Sequence, residues 1–434
     1  MIKTFFSVSI LALSLQAFSQ NSLKIKGKII EETSGHPLPF ATIGISGSPY
    51  GTVSNPDGEF VFFLPPNYKN DTLAISHVGF KTQQIPIAQA RNSTLLEVKL
   101  EESVILLDEV LVNSEKHTAK QILEKALTQL GENYLEDQFI SKGFFRDIRD
   151  QNGETVYLVE AAVDVQEPGF SAAGDRPKKF FLKSVRASES RINGLLAGSL
   201  LNLGNSLRVN MEYNFWLNGL KEFLKKDEFT IDQVVSNDGR WFYEITTERL
   251  ASKPSLAEKY KEMQYRLKHR YLVDSETYAI HKVEHLEYPI DGEYVGIEHP
   301  YPGDSLYYSK KGWNQVIEFA EFKGKMFLKY HNINYAFDIV DEKNDRLYLD
   351  MKYQFTFIIT DIAVGESERP SGYKMNRNKP LALQGKNYDD SFWNDPSNVK
   401  LVPLTKKQLS DLEKEKPLTK QFKSKKSKLK RNAG

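Results

Sequence analysis

Alternation of apolar and polar residues along segments joined by tight turns most limits what this chain can fold into. A period of two residues places successive side chains on opposite faces of a β-strand. Four pairs of such segments flank turn signals: 139–150 and 155–165 around Asn152-Gly153, 229–235 and 241–247 around 237–239, 265–273 and 278–287 around 274–276, and 316–322 and 326–333 around Lys323-Gly324. Because consecutive hairpins build an antiparallel meander, the sequence predicts a large antiparallel β-rich domain over residues 137–403.

One face of these strands is richer in apolar side chains than the other. On two strands, Trp241, Tyr243 and Ile245 alternate with Arg240, Glu244 and Thr246, and Met351, Tyr353, Phe355, Phe357 and Ile359 alternate with Lys352, Gln354 and Thr356. This pattern predicts one buried and one solvated face. We expect the aromatic residues Trp241, Tyr243, Phe355 and Phe357 of the buried face to line a site for an apolar ligand.

Residues 119–130 have the spacing of an amphipathic helix. Its apolar positions are Ala119, Ile122, Leu123, Ala126, Leu127 and Leu130, and Gly131 stands where a C-terminal cap belongs. An apolar stripe must be buried, so we expect the sheet to curve around this helix as a half-barrel. Periplasmic lipoprotein carriers have that architecture, which is an analogy of fold alone. Residues 101–136 are thus predicted to form a linking strand, at 107–112, and this helix.

The first 19 residues have the features of a secretory signal. Lys3 precedes an apolar stretch at 5–18, which is shorter than the roughly 20 apolar residues of a membrane-spanning helix. Ala17 and Ser19 are small, so we expect cleavage between Ser19 and Gln20. The chain contains no cysteine, which excludes disulfides and a lipidated cysteine. We therefore expect an exported protein of the periplasm or outer membrane that is not a lipoprotein.

The charges of the chain are balanced overall but unevenly placed. With 58 Lys and Arg against 57 Asp and Glu, the protein as a whole has no basic field for nucleic acid. Residues 404–434 are rich in lysine and poor in apolar side chains. A segment of that composition buries too little surface to fold, so we expect a disordered basic tail there.

Residues 20–100 have short predicted strands at 23–30, 41–45, 51–53, 59–64 and 71–76, separated by turn residues. Gly27 and four further segments resemble the carboxypeptidase regulatory-like domain. The segments are PFAT at 39–42, GTVS at 51–54, DGEF at 57–60 and LAISHVGF at 73–80. The resemblance implies a transthyretin-like β-sandwich without catalytic residues. Such domains are appended to carboxypeptidases and precede nutrient-uptake outer-membrane receptors in some Gram-negative bacteria. Asn55 departs from the family, which commonly has an acidic residue there.

His281, Glu284 and His285 match the H-x-x-E-H pattern of zinc peptidases. That chemistry requires a helix, because both imidazoles must reach one metal ion. The segment instead alternates as a strand, which separates the two histidines by roughly 13 Å along one face and turns Glu284 the other way. We predict a solvent-facing strand edge and no metal site.

Ser305 lies in the sequence GDSL at 303–306, a signature of lipases and esterases. Pro300 and Pro302 precede it, which indicates a loop between antiparallel strands. The chain has no α/β alternation downstream to hold such a nucleophile. We therefore predict no catalytic residue, no metal and no cofactor.

These observations predict a mainly β protein: a transthyretin-like β-sandwich, then a large antiparallel meander sheet around one amphipathic helix. The expected function is non-catalytic binding or assembly in the cell envelope, with an envelope protein or an apolar ligand as partner and with peripheral association with the outer membrane. Two alternatives stay open. One is an integral outer-membrane β-barrel, which also has one-sided aromatic strands. The other is an accessory hydrolase without a recognisable motif.

Overall fold

A computed structural model describes residues 23–103, 117–170, 178–192, 214–237, 239–254, 262–290, 296–298, 306–341, 346–365, 369–384, 388–395, 398 and 402–428. The predicted signal at 1–19, the predicted strand at 107–112 and Ser305 lie outside these residues.

The N-terminal part is a sandwich of two small sheets. Its elements are β1 (Leu23–Glu31), β2 (Thr42–Ile45), β3 (Gly51–Val53), β4 (Glu59–Leu64), β5 (Thr72–Ser76), β6 (Gln83–Pro86), α1 (Ile87–Ala90) and β7 (Leu96–Leu100). One sheet has the order β4-β1-β7 and the other β3-β2-β5-β6; all pairs are antiparallel except β1 with β7. Alternate residues such as Phe60, Phe62 and Ile75 are fully buried between the sheets, so the sandwich has its own core.

Asn55 shapes the turn between β3 and β4. Its Oδ1 accepts hydrogen bonds from the backbone N–H groups of Asp57 and Glu59, at 3.0 and 2.8 Å. An aspartate would accept the same bonds, so the departure from the family pattern leaves the turn intact. Gly58 has a φ of 74°, a conformation that glycine adopts without strain.

Over the described residues, the second part is one antiparallel sheet of 12 strands. Its strands are β8 (Phe139–Gln151), β9 (Glu154–Glu167), β10 (Lys179–Ala187), β11 (Thr230–Asn237), β12 (Arg240–Pro254), β13 (Glu262–Asp274), β14 (Ile280–Pro289), β15 (Gly296–Glu298), β16 (Leu306–Phe322), β17 (Lys325–Asp341), β18 (Arg346–Val364) and β19 (Tyr373–Lys374). The order is β11-β12-β13-β14-β16-β17-β18-β8-β9-β10-β19, with β15 beside β16. Within the described residues the sheet is not closed, and the predicted fold class is confirmed.

All four predicted hairpins are present. Asn152 and Gly153, for example, both have positive φ, at 51° and 75°, as a tight two-residue turn between β8 and β9 requires. The turn residues therefore set the register of the meander locally.

In the part of the chain that the structure describes, three helices pack against one face of the sheet, which we call the inner face: α2 (Ala119–Thr128), α3 (Leu130–Asn133) and α4 (Asn214–Lys226). Thr118 and Gln121 form a capping box at the start of α2. Leu123 of α2 and Leu220 of α4 are fully buried in one core with the sheet. The predicted cap at Gly131 is wrong: α2 ends at Thr128, and Gly131 lies within α3.

The sequence pattern predicted that the opposite, outer face is solvated. In the structure, part of this outer face is buried. Phe144, Tyr330 and Ile358 are apolar residues of that face, and all three are at most 1% exposed. Val53 of the sandwich and Trp393 share their cluster. The physical reason is that these three outward positions carry apolar side chains, so the outer face needs its own cover.

The predicted disordered tail is also wrong over the described residues up to 428. Two helices, α6 (Lys406–Glu413) and α7 (Leu418–Lys428), follow the short α5 (Asp390–Asn394). Leu412, Leu418 and Phe422 pack against Ile148 and Leu158 of the outer face. These few apolar residues suffice to fold the lysine-rich segment because the sheet offers them an apolar surface.

Among the described residues, no helix combines the length and the apolar character that crossing a membrane requires.

Candidate functional site

The four aromatic residues predicted to line an apolar site lie on two separate strands. Phe355 and Phe357 of β18 are 9% and 1% exposed and belong to the packed inner core. Trp241 and Tyr243 of β12 are half-buried. Four strands stand between β12 and β18 in the sheet order.

His281 and His285 lie on opposite faces of the sheet. The pairing of β13 with β14 shifts by one residue at His281, and such a bulge changes the face toward which the following side chains point. The ring of His281 lies 5.0 Å from Phe242, on the side of the sandwich, whereas the ring of His285 lies 4.7 Å from Trp313 on the inner face. The expectation that both share one face is therefore wrong.

The predicted strand edge is also wrong, because β14 pairs with both β13 and β16. Glu284 binds Lys282 at 2.7 Å and Arg270 at 2.8 Å on the outer face, so its carboxylate is part of a network of ion pairs. No group of three or more metal-binding side chains occurs in the part of the chain that the structure describes.

A row of polar side chains crosses the inner face. Nδ1 of His285 lies 2.9 Å from Nε2 of His269, and Gln315 donates from Nε2 to Nε2 of His331 at 2.5 Å. Burial lowers the pKa of His269 and of His331 to about 3 in each case. These two imidazoles are neutral at physiological pH and belong to the core.

The sandwich docks on the outer face through aromatic and aliphatic contacts. Phe40 stacks on Tyr330, and Val53 joins the same buried cluster as Phe144. Val78 packs against Phe242 and Leu272 at a second point of contact.

Between these contacts lies a cavity of about 250 Å³. Residues of both parts line it: Phe40, Thr42, Ser76, His77, Val78 and Gly79 from the sandwich, and Phe242, Leu272, His281, Glu318, Phe319, Ala320, Glu321 and Lys329 from the sheet. We call it the interdomain cavity. A molecule bound there would touch both folded parts at once.

Lys329 is the most deeply buried charged group of the interdomain cavity. Its side chain lies on β17, beside the register shift between β16 and β17, and the residue is only 4% exposed. Burial lowers the pKa of its ammonium to about 8, against the weaker opposing effect of the Asp361 carboxylate. The ammonium is therefore mostly charged at neutral pH.

The other titratable groups of the cavity carry little unpaired charge. Burial lowers the pKa of His77, and it lowers the pKa of His281 to about 4, so both imidazoles are neutral near pH 7. Burial raises the pKa of Glu318, whose carboxylate lies 3.6 Å from Lys282. The Glu321 carboxylate binds Arg240 at 2.7 Å.

Sequence reasoning did not find Lys329 or the contact surface of the sandwich. One signal was present: Lys329 stands in the run MFLKY at 326–330, where apolar residues occupy both faces of the strand. A strand with apolar side chains on both faces is covered on both faces. Because apolar and polar residues alternate on the other predicted strands, the sequence did not predict that the strand at 326–330 is covered on both faces.

Comparison with known proteins identifies the sandwich. Residues 25–112 match the CarboxypepD_reg-like domain family, as the sequence motifs predicted. TonB-dependent receptor SusC of Bacteroides thetaiotaomicron is 32% identical over 100 residues, which are 23% of this chain and 9% of that protein. The chain thus spans less than a tenth of the receptor's length. The CarboxypepD_reg-like domain is non-catalytic.

Two solved structures have a limited likeness to the chain. A DUF1329 family protein from Desulfovibrio piger superposes with a TM-score of 0.23 at 8% identity, covering 58% of this chain and 96% of that one. A putative membrane-associated protein of unknown function from Bacteroides fragilis gives a TM-score of 0.15 at 10% identity, covering 79% and 99%.

Proposed function

We propose that this protein is a non-catalytic, exported envelope protein that binds a small, largely apolar molecule in the interdomain cavity. The observation that carries the proposal is the cavity itself, which is lined by side chains of two parts that each have their own core. Ligand sites occur preferentially at such interfaces, with mostly apolar walls and a few polar groups.

The positions of the predicted aromatic residues favour a ligand site in the interdomain cavity over a ligand site on the inner face. Phe355 and Phe357 are packed into the core that the sheet shares with α2 and α4. The interdomain cavity instead has Phe242, Leu272 and Phe40 on its walls beside an open volume. An apolar ligand would therefore find room on the outer side of the sheet.

A location in the envelope is supported by two features of the N-terminal part. Residues 1–19 have the charge and apolar pattern of a secretory signal. The sandwich that follows is similar to a segment of TonB-dependent receptor SusC. Binding in the interdomain cavity would stabilise the docked arrangement of the two parts, since a ligand that contacts both favours the state in which they are together.

The test uses the full chain and the neutral probe indole. Ser76 lines the interdomain cavity, so Ser76→Phe should fill it, whereas Ser93→Phe places the same ring at an exposed position of the sandwich. We expect calorimetry to detect indole binding by the parent and by Ser93→Phe, and at least tenfold weaker binding by Ser76→Phe. Equal binding by all three proteins would refute the proposed site.

A further inference from the structure

We propose that Lys329 makes the interdomain cavity a site for a small organic anion, namely an aromatic or branched aliphatic carboxylate. The inference rests on the binding function proposed above and adds the charge of the ligand. It follows from how Lys329 differs from the other buried cations of the sheet.

The other deeply buried cations have carboxylate partners. Arg149 binds Asp147 at 2.9 Å, Lys178 binds Glu167 at 2.8 Å, and the guanidinium of Arg146 binds Glu160. Such pairing offsets the large cost of removing an ion from water.

Lys329 has no hydrogen bond and no ion pair within the part of the chain that the structure describes, although it is 4% exposed. The carboxylate of Asp361 raises the pKa of Lys329 against the larger effect of burial, and that carboxylate lies 3.4 Å from the amine of Lys142. An uncompensated buried ammonium costs free energy unless an anion completes the site.

Gly51 of the sandwich lies close to the ammonium of Lys329. A Cβ atom at Gly51 would lie 2.9 Å from Nζ of Lys329 and 2.8 Å from the backbone oxygen of Ile43. Glycine therefore allows the sandwich backbone to approach the amine closely. Since Lys329 also lines the cavity, its charge lies between the two folded parts.

The remaining walls define the body of the ligand. Val78, Phe242 and Leu272 form an apolar cluster, and the ring of Phe40 is nearby on the sandwich side. A cavity of ~150 Å³ accommodates benzene. The volume of about 250 Å³ therefore suits one ring or branched chain together with an acidic group.

The experiment compares phenylacetate with phenylacetamide, which has nearly the same shape and no charge. Titration calorimetry uses the full chain, Lys329→Met and the control Lys352→Met, which removes an exposed lysine of the same sheet. We expect the parent and Lys352→Met to bind phenylacetate at least tenfold more tightly than phenylacetamide. Lys329→Met should bind the two probes within twofold of each other.

A second measurement is the melting temperature, without ligand and with phenylacetate. Since Lys329→Met removes an unpaired buried charge, it should raise the melting temperature of the ligand-free protein, and phenylacetate should then add less stabilisation than it does to the parent. If the parent binds both probes equally, or Lys329→Met keeps the preference for phenylacetate, the anion site is refuted while indole binding still supports the cavity. If indole and both probes all fail to bind, the proposed function and the anion site fall together.

Discussion

The ring of Phe40 stacks on the ring of Tyr330, with centroids 5.0 Å apart and an angle of 29° between the planes. Phe40 belongs to the sandwich and Tyr330 to the sheet, so this pair joins the two folded parts. The backbone of Phe40 has a φ of 59°, in the left-handed region that side-chain-bearing residues seldom adopt. Such strain costs on the order of 1–3 kcal/mol and persists where surrounding contacts hold it.

Phe40→Ala should therefore uncouple the sandwich from the sheet. The variant keeps the strained backbone and loses the stacked ring, which we expect to lower the free energy of unfolding by about 2 kcal/mol. We expect calorimetry to show one transition for the parent and two for the variant, because each part has its own core. Phe63→Ala removes a ring that contacts Lys24 within the sandwich and should leave the transitions together. An unchanged melting profile of Phe40→Ala would show that the stack does not hold the parts together.

His331 should make the stability of the protein fall in mild acid. Its pKa is about 3 in the folded protein because of burial, against about 6.5 for an unfolded chain. Above pH 6.5 neither state binds the proton, and the stability contribution is complete. As the pH falls from 6.5 toward 3, the unfolded chain binds a proton that the folded imidazole excludes. The loss should reach roughly 2 kcal/mol at pH 5.

Urea unfolding between pH 5 and pH 8 measures this effect through the difference between variants. His331→Gln removes the titrating group, so its stability should fall less steeply below pH 6.5 than that of the parent. His36→Gln changes an exposed histidine of the sandwich and should preserve the parent slope. Parallel curves for the parent and His331→Gln would contradict the buried neutral state.

Glu160 should be required for docking of the C-terminal helices. Its two oxygens accept hydrogen bonds from Nε of Arg146 at 2.7 Å and Nε of Arg186 at 2.6 Å, and the carboxylate is 1% exposed. Arg186 in turn lies 4.3 Å from the ring of Trp393 and 5.0 Å from that of Phe422. The carboxylate thus fixes the cation on which the C-terminal segment packs.

Glu160→Gln leaves two guanidinium groups without a counter-charge, and we expect a loss of about 3–5 kcal/mol. Hydrogen exchange should accelerate over α6 and α7 more than over the sandwich. Glu97→Gln alters a carboxylate that is 60% exposed and should have no such effect. If protection of the two helices is unchanged in Glu160→Gln, another contact holds them.

The sequence predicted the features that depend on local chemistry and missed those that depend on contact between distant parts. Asn152 and Gly153 define a hairpin through their own backbone preferences, so the meander could be predicted. The face toward which His281 points could not, because a one-residue shift in pairing reverses side-chain direction and leaves no mark on the alternation. Leu418 and Phe422 are too few to fold a lysine-rich segment alone, and the surface that receives them comes from strands more than 200 residues earlier in the chain.

Export should produce a mature chain that begins at Gln20. The signal pattern ends in small residues before that position, and the absence of cysteine leaves no site for a lipid on sulfur. N-terminal sequencing and intact mass of protein purified from envelope fractions test both points. Retention of Met1, or a mass increased by acyl chains, would contradict this prediction.

Leu123 tests whether α2 is part of the inner core. The residue is 0% exposed, and with Ile122 and Ala126 it forms the buried stripe of the helix against the sheet. Leu123→Asp places an unpaired charge in that core and should lower the free energy of unfolding by several kcal/mol.

Leu127→Asp should lower it less, because Leu127 is partly exposed at the rim of the same core. Lys120→Asp changes charge on the exposed side of α2 and should cost less than either. Chemical unfolding of the three variants gives the order directly. If Leu123→Asp has the same free energy of unfolding as the parent, α2 does not contribute to the core. The sheet would then be stable without the helix around which it was predicted to curve.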